Sequence, residues 1–330
     1  MPERKYWQAV NDALRVEMRR DDRIVVMGED VAGGAGREAD GIVDAWGGPF
    51  GITRGLIAEF GKERVRDTPI SEAAFVGAAV GLAAEGYRPW VDVMFQELSA
   101  VAWDQLTNRL ARARYLSGGQ RSFAITIKTF GECYSSTCHY PGLICVAPSD
   151  GYTAKGLMIS AIREDNPVVV FDSLKMLRQK SEVPDGSYTI PLGRARVVRP
   201  GSDVTVVGIG PSVAVCVEAA DALAGGGIEA EVIDLLTLVP WDRETVVGSV
   251  ARTGRLAIVD FDHPTCSLSA DIASTAADRA WGSLAAPPLR INPPAVPAML
   301  MDGTPAMAAM YYPTASSVTK AVTCLARSSS

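Results

Sequence analysis

The sequence predicts an α/β protein made of two doubly wound domains, over residues 1–190 and 191–330. Three observations support this prediction. The chain has 330 residues, which is long for one ordinary domain and suits two. Short apolar runs alternate with helical patterns, as expected for parallel sheets that carry helices on both faces. A segment rich in proline and glycine, residues 181–201, separates the two series and is typical of an interdomain linker.

The first domain opens with a predicted helix over residues 6–19, because its apolar side chains recur at helical spacing. An apolar strand over residues 23–30 follows. The glycine-rich insertion 32–51 then predicts a long loop, which in a compact domain is usually functional or a partner contact. A helix of small residues comes next, flanked by strands, with Ser71 as its cap and Gly86 at its end. The later predicted elements are an amphipathic helix from Leu98 to Gly118, strands over 123–129 and 144–150, a helix over 152–165 and a strand over 167–173.

The second domain repeats the alternation with short links. This pattern predicts a parallel sheet with helices on both of its faces. The predicted elements are a strand over 202–210, a helix over 212–227, a strand and turn over 229–242, a helix over 243–254, a strand over 255–262 and a final helix over 314–326.

Charge and hydropathy argue against two classes of partner, nucleic acids and membranes. The net charge is −6, from 38 acidic and 32 basic residues, and no long basic stripe occurs. We therefore expect no nucleic-acid partner. No apolar run is long enough to span a bilayer, and the amino terminus lacks the apolar segment of a signal peptide. These features predict a cytoplasmic protein without a membrane partner.

Two nucleotide-binding motifs are incomplete or missing. The segment that starts at Gly208 reads GIGPSV between a strand and a helix, but Val213 stands where a dinucleotide fingerprint has its third glycine. A partial motif of this kind is more typical of a tight turn. No GxxxxGK[ST] motif occurs, so the sequence does not support an ATPase.

Cysteine and histidine residues lie together at two places in the sequence. Cys133, Cys138 and His139 form one group, and His263 and Cys266 form the other. A structural zinc site needs four ligands at recognisable spacings, and neither group supplies them. We therefore expect no metal site in this chain.

The segment DTPISE, residues 67–72, carries the strongest chemical signal. It places Glu72 at the start of a helix whose next residues are small and apolar. One interpretation is an ordinary first-turn glutamate, stabilised by the helix dipole. The other is a partly buried acid that faces a ligand at a sheet edge, where burial and the helix start act on its charge in opposite directions. Spacing alone leaves both interpretations open.

Nearly the whole chain resembles the beta subunits of thiamin-diphosphate-dependent 2-oxoacid dehydrogenases, and most closely those of acetoin dehydrogenases. DTPISE and RARYLSGG (residues 112–119) are typical of the family, while WGGPFG (46–51) and PTCSLSADIA (264–273) resemble the acetoin branch. The resemblance implies a pyrimidine-binding transketolase-like domain, residues 1–190. A transketolase C-terminal-like domain, residues 191–330, would follow it.

The resemblance also implies a shared cofactor. In this family thiamin diphosphate lies between an alpha and a beta subunit of an α2β2 assembly, and the alpha subunit binds the diphosphate and Mg²⁺ through a GDG-containing motif. This chain has no GDG, as expected of a beta subunit. Glu72 corresponds to the family glutamate that hydrogen-bonds N1′ of the aminopyrimidine and activates the cofactor. Phe95 and Glu29 correspond to residues near the same ring, although a core phenylalanine and a solvated loop acid are the plainer interpretations. Asp104 and Gln105 correspond to a helix at the subunit interface.

The chain departs from the family at several positions. The family's His-Ser-Gln segment before the PGL motif is missing, because the segment before Pro141 is too short to contain it. His139 is a candidate for the vacant place, with a structural histidine as the alternative. Phe261 stands where an acid is common, and Thr153 where an aspartate near a potassium site is usual.

Three functional hypotheses remain open at this point. The leading hypothesis is a dehydrogenase or decarboxylase component that acts on a 2-oxoacid or acetoin-like substrate and passes the acyl unit to a lipoyl group on an acyltransferase. The second is a transketolase-like subunit that transfers a two-carbon ketol unit to a carrier protein or an aldehyde. The third is a non-catalytic scaffold subunit.

Overall fold

The computed structural model describes residues 1–33, 47–297 and 305–328. The chain divides into two compact units. Unit 1 comprises Met1–Gly131 and Thr137–Leu192, and unit 2 comprises Glu132–Ser136 and Gly193–Ser330. The short stretch Glu132–Ser136 therefore belongs to the second unit, although it interrupts the first in sequence.

Up to residue 192 the chain alternates strands with helices. The elements in order are β1 (Glu3–Lys5), α1 (Tyr6–Arg20), β2 (Ile24–Gly28), α2 (Leu56–Phe60), β3 (Val65–Asp67), α3 (Glu72–Ala84), β4 (Arg88–Phe95), a 3₁₀-helix (Gln96–Ala100), a π-helix (Gln105–Ala111), α4 (Ala113–Leu116), β5 (Thr126–Phe130), α5 (Ser135–Cys138), β6 (Ile144–Val146), α6 (Gly151–Arg163), β7 (Val168–Asp172) and β8 (Lys180–Glu182).

Six strands of unit 1 form a parallel sheet in the order β6-β7-β5-β4-β2-β3. Strands β2, β5 and β7 are buried along their whole length. The sequences of β2 and β7 are accordingly apolar runs, whereas β5 contains two threonines and a lysine. Since all six strands run the same way, their carboxyl ends meet at one edge of the sheet. Strands β1 and β8 pair separately and antiparallel.

The amphipathic helix predicted from Leu98 to Gly118 is wrong in kind, because the structure has a 3₁₀-helix, a π-helix and the short α4 in this segment. The predicted apolar side consists of residues spaced four apart, Leu98, Ala102, Leu106 and Leu110. In an α-helix that spacing rotates each one by about 40° from the last. The wider π-helical turn counteracts this drift and leaves Ala102, Leu106 and Leu110 buried.

The predicted linker over residues 181–201 contains regular structure at both ends. Its first residues belong to β8, and β9 (Arg196–Arg199) lies antiparallel beside a strand of unit 2. Both strands are short and charged, which is typical of strands at the edge of a sheet. Segments of this kind give only a weak local pattern for a strand in the sequence.

Unit 2 contains a five-stranded sheet in the order β14-β13-β10-β11-β9, parallel apart from β9. The elements after β9 are β10 (Val204–Gly208), α7 (Ser212–Ala224), β11 (Ala230–Asp234), β12 (Thr237–Val239), α8 (Arg243–Thr253), β13 (Leu256–Val259), α9 (Leu268–Ala280), a 3₁₀-helix (Trp281–Ser283), β14 (Leu289–Ile291), α10 (Pro305–Tyr311) and α11 (Ala315–Arg327).

Helices cover both faces of this second sheet, as the sequence pattern predicts. Val204 and Val206 of β10 share a buried cluster with α7 and α11. Thr205 lies between them in sequence, so it points to the opposite face, where its hydroxyl contacts Ser249 of α8 at 2.6 Å. In the described ranges no helix is both long and apolar enough to cross a membrane.

Candidate active site

Three carboxylates gather at the carboxyl edge of the unit 1 sheet. Glu29 directly follows β2, Asp92 of β4 is the strand partner of Gly28, and Glu72 begins α3 shortly after β3. Burial raises the pKa of the Glu29 carboxyl, and the charges of Asp30, Glu72 and Asp92 add to that rise. The edge therefore concentrates negative charge in a partly dehydrated place.

The Glu72 side chain is nearly inaccessible, since the residue is 6% exposed. Ser71 occupies the cap position as predicted, but its side chain makes no capping hydrogen bond. Among the residues that the structure describes, none donates a hydrogen bond to the Glu72 carboxylate or pairs with it. A buried carboxylate at the positive end of a helix and without a protein donor is suited to a ligand that completes it.

Phe95 belongs to an aromatic cluster at the same edge. Phe50 packs edge-on against Phe95, with ring centroids 5.8 Å apart, and against Phe130 at 4.6 Å. Phe50 lies at the end of the glycine-rich insertion, so this end of the insertion packs onto the edge. Residues 34–46, the middle of the insertion, lie outside the described residues.

A bulge at the end of β4 sets the position of Phe95. The pairing with β5 shifts register between Asp92 and Phe95, and Met94 has a φ of 63°. The Asp92 carboxylate accepts a hydrogen bond from the Met94 amide at 2.8 Å, which supports this backbone conformation. Bulges re-aim side chains next to functional sites, and here the aromatic ring of Phe95 is brought opposite Phe130.

A buried ionic network underlies the edge, and the sequence interpretation missed it. Lys128 of β5 is fully buried, and its Nζ lies 3.3 Å from Asp92 Oδ1 and 3.3 Å from the Phe130 ring centroid. Burial lowers the pKa of Lys128, against the opposing charges of Asp92 and Asp172. Burial also raises the pKa of Asp172 to about 6, and the Tyr6 hydroxyl donates to that carboxylate. A lysine within the strand predicted over residues 123–129 was the available signal in the sequence.

His139 lies in a different surrounding from the three carboxylates. The residue is exposed, and its ring lies 6.2 Å from the Trp103 ring and 5.6 Å from the Tyr140 ring, measured between centroids. The structure therefore places Glu29 with Glu72 and Phe95 with Phe50, and it places His139 in an aromatic group of its own. A role for His139 beside a cofactor stays a prediction.

Comparisons with known proteins agree with this architecture. Residues 3–121 match the family described as "Transketolase, pyrimidine binding domain", and residues 193–318 match "Transketolase, C-terminal domain". A split-gene transketolase described as an inactive β4 tetramer superposes with a TM-score of 0.76, with 97% of each chain covered and 22% identity. At this identity the superposition shows a shared fold.

Other known proteins share a higher sequence identity with this chain than the solved structure does. The beta subunit of acetoin:2,6-dichlorophenolindophenol oxidoreductase from Cupriavidus necator is 42% identical over 325 residues, covering 95% of this chain and 94% of the relative. The pyruvate dehydrogenase E1 component subunit beta of Bacillus subtilis is 39% identical over 300 residues, covering 87% and 89% of the two chains. The chain thus belongs to the transketolase-like family of beta subunits that includes those of acetoin:2,6-dichlorophenolindophenol oxidoreductase and of the pyruvate dehydrogenase E1 component.

Proposed function

We propose that this chain is the beta subunit of a thiamin-diphosphate-dependent dehydrogenase component for a 2-oxoacid or acetoin-like substrate, with Glu72 as the residue that activates the cofactor. The observation that carries the proposal is the buried Glu72 carboxylate, which has no donor among the described residues. It lies within the segment that matches a pyrimidine-binding domain.

The residues at the sheet edge fit an aminopyrimidine ring. Such a ring offers a basic nitrogen, which a buried acid can hydrogen-bond, and a flat face, which an aromatic side chain can contact. Glu72 supplies the acid and Phe95 an aromatic ring, while Glu29 keeps the surroundings of Glu72 acidic. We assign these three residues to the cofactor.

Thiamin diphosphate, when bound, supplies a nucleophilic carbon able to break the bond beside a carbonyl group. The contribution of Glu72 is to hold a proton between its carboxylate and the ring nitrogen N1′. The carboxylate is buried, and a hydrogen bond is stronger in such a place than in water. Lys128 and Asp92 hold the end of β4 in place beneath this site.

The proposal includes an alpha partner in an α2β2 assembly. The sequence contains no GDG motif, so we assign the diphosphate and Mg²⁺ to that partner. The acyl acceptor would be a lipoyl group on an acyltransferase.

The substrate class can be tested with the chain co-purified with its alpha partner. Thiamin-diphosphate-dependent turnover would be measured on pyruvate, longer 2-oxoacids, acetoin and a ketose, with dichlorophenolindophenol as electron acceptor. Turnover of a 2-oxoacid or of acetoin is the expected result. Turnover of the ketose alone would favour ketol transfer instead, and a pair unable to bind the cofactor would remove the proposal.

Glu72→Gln tests the role of the carboxylate in the same assay. Glutamine keeps the size of the side chain but cannot share a proton, so we expect kcat to fall by about 10²- to 10⁴-fold. The matched control is Glu244→Gln, because Glu244 also lies in the first turn of a helix, α8, but its side chain is 87% exposed. Equal activity of the Glu72 variant and the wild type would show that Glu72 does not activate the cofactor.

A further inference from the structure

Unit 2 brings together three side chains that are far apart in sequence. Cys133 comes from the stretch Glu132–Ser136, while Asp262 and His263 follow β13. One candidate ligand atom of each lies within 4.8 Å of the other two. The Cys133 Sγ lies 3.8 Å from the His263 Nε2. Two such ligands on a tetrahedral zinc ion are about 3.5 Å apart, given the usual Zn–S and Zn–N lengths.

Hydrogen bonds already orient the carboxylate of this cluster. The Asp262 carboxylate accepts the backbone amides of Ser135 and His263, each at 2.8 Å. His263 Nδ1 lies 3.5 Å from Asp262 Oδ1, so this ring nitrogen faces the carboxylate while Nε2 is the nitrogen next to Cys133 Sγ. In metal-binding histidines the ring nitrogen away from the ion commonly faces a carboxylate or a carbonyl group.

Charge and access also suit a cation. Asp262 and the neighbouring Asp260 are both buried, and Asp260 Oδ1 accepts the Asp262 amide at 3.0 Å. Buried carboxylates as near in sequence as these two are stabilised by a positive charge close to them. The His263 side chain is 35% exposed and Cys133 is half-buried, so an ion can reach the cluster from solvent.

We propose that Cys133, Asp262 and His263 form a binding site for a divalent ion of the zinc class, with water as the fourth ligand. A set of one thiolate, one imidazole and one carboxylate suits Zn²⁺ and its substitute Co²⁺, whereas Mg²⁺ and Ca²⁺ prefer oxygen ligands alone. The ion would tie Glu132–Ser136 to the loop after β13. This replaces our expectation from sequence spacing that the chain has no metal site.

The test uses the full-length chain, freed of metal with a chelator and titrated with Co²⁺. The expected result is a thiolate-to-cobalt charge-transfer band that saturates at one Co²⁺ per chain and is abolished by excess Zn²⁺. Cys133→Ser should remove the band. His263→Gln should weaken Co²⁺ binding by at least about 100-fold, because losing only an outer partner of a metal ligand can already cost that much.

Cys266→Ser is the matched control, because Cys266 is an exposed cysteine in the same loop as His263 and is not one of the three ligands. Its band should equal that of the wild type. If Cys133→Ser does not fold, as judged by circular dichroism, His263→Gln decides the matter, since its partly exposed side chain can be replaced without opening the core. A wild-type chain without the band, or a band that depends on Cys266 and not on Cys133, would overturn the proposal.

Discussion

At the residue scale, the buried acids of unit 1 differ in the groups that stabilise their charged form. Glu72 lies at a helix start and is followed by small residues, while Asp172 accepts a hydrogen bond from the Tyr6 hydroxyl. The Oδ2 atom of Asp172 has no hydrogen-bond partner among the described residues. Burial therefore dominates at Asp172, and its pKa is raised from 3.8 to about 6. Such a group links the stability of the protein to pH.

Asp172→Asn should change that pH dependence in a predictable direction. Between pH about 4 and about 6 the folded wild type keeps a proton on Asp172 that the unfolded chain has already released, so stability falls as pH rises through this window. The shift corresponds to at most about 3 kcal/mol. Denaturant midpoints measured from pH 4 to 7 should fall less steeply in the variant than in the wild type. Parallel profiles would contradict the assignment.

At the element scale, close backbone approaches fix the segments around the site. Gly142, in the PGL turn before β6, has a φ of 103° and lies against the end of the π-helix. A Cβ placed on Gly142 would lie 1.9 Å from the carbonyl oxygen of Ala111. The turn and the π-helix can therefore pack at this separation only if the residue is glycine.

Gly142→Ala should destabilise the chain more than an equally strained glycine elsewhere. The matched control is Gly86→Ala, since Gly86 has a φ of 87° but a Cβ added there would meet nothing within 4 Å. The control should lose about 1–2 kcal/mol through the left-handed backbone alone. Gly142→Ala should lose about 2 kcal/mol more from overpacking. Equal thermal midpoints for the two variants would show that the turn yields freely.

At the scale of the whole molecule, we expect exposed apolar side chains on unit 1 to contribute to a partner-binding surface. Tyr115 and Leu116, at the end of α4, are 89% and 73% exposed. They lie shortly after the π-helix that includes Gln105, which the family resemblance predicts to lie at the subunit interface. Neighbouring exposed aromatic and aliphatic side chains of this kind are typical of protein interfaces.

Leu116→Asp should weaken assembly with the proposed alpha partner by about tenfold or more, since truncating a central interface residue commonly changes binding by over about 1 kcal/mol. Sedimentation of the mixed subunits measures this effect. The control is Tyr87→Asp, an exposed residue in the turn between α3 and β4. Assembly of the Leu116 variant at wild-type affinity would place the interface elsewhere.

Much of the fold follows from local pattern, as particular elements show. Helix α1 and strands β2, β7 and β10 lie where periodicity and apolar runs predict them, because each depends on side chains only a few residues apart. Strands β8 and β9 do not follow from the sequence pattern, because what stabilises them is pairing with β1 and β11, distant in sequence. The π-helix was predicted as an α-helix because local patterns do not distinguish the two. Burial of its apolar side, and not local propensity, selects the wider turn.

The features of the candidate site also fall into those that the sequence predicts and those that depend on tertiary contacts. The sequence by itself determined the family, the helix start at Glu72 and the candidates Glu29 and Phe95, because these rest on motifs of contiguous residues. Only the tertiary structure decided that Asp92 and Lys128 pair beneath the sheet edge, that Phe50 packs on Phe95, and that Cys133 meets His263 across 130 positions. The physical reason is that spacing along a chain records periodicity, whereas contacts between strand ends and loops arise only when sheets and helices pack.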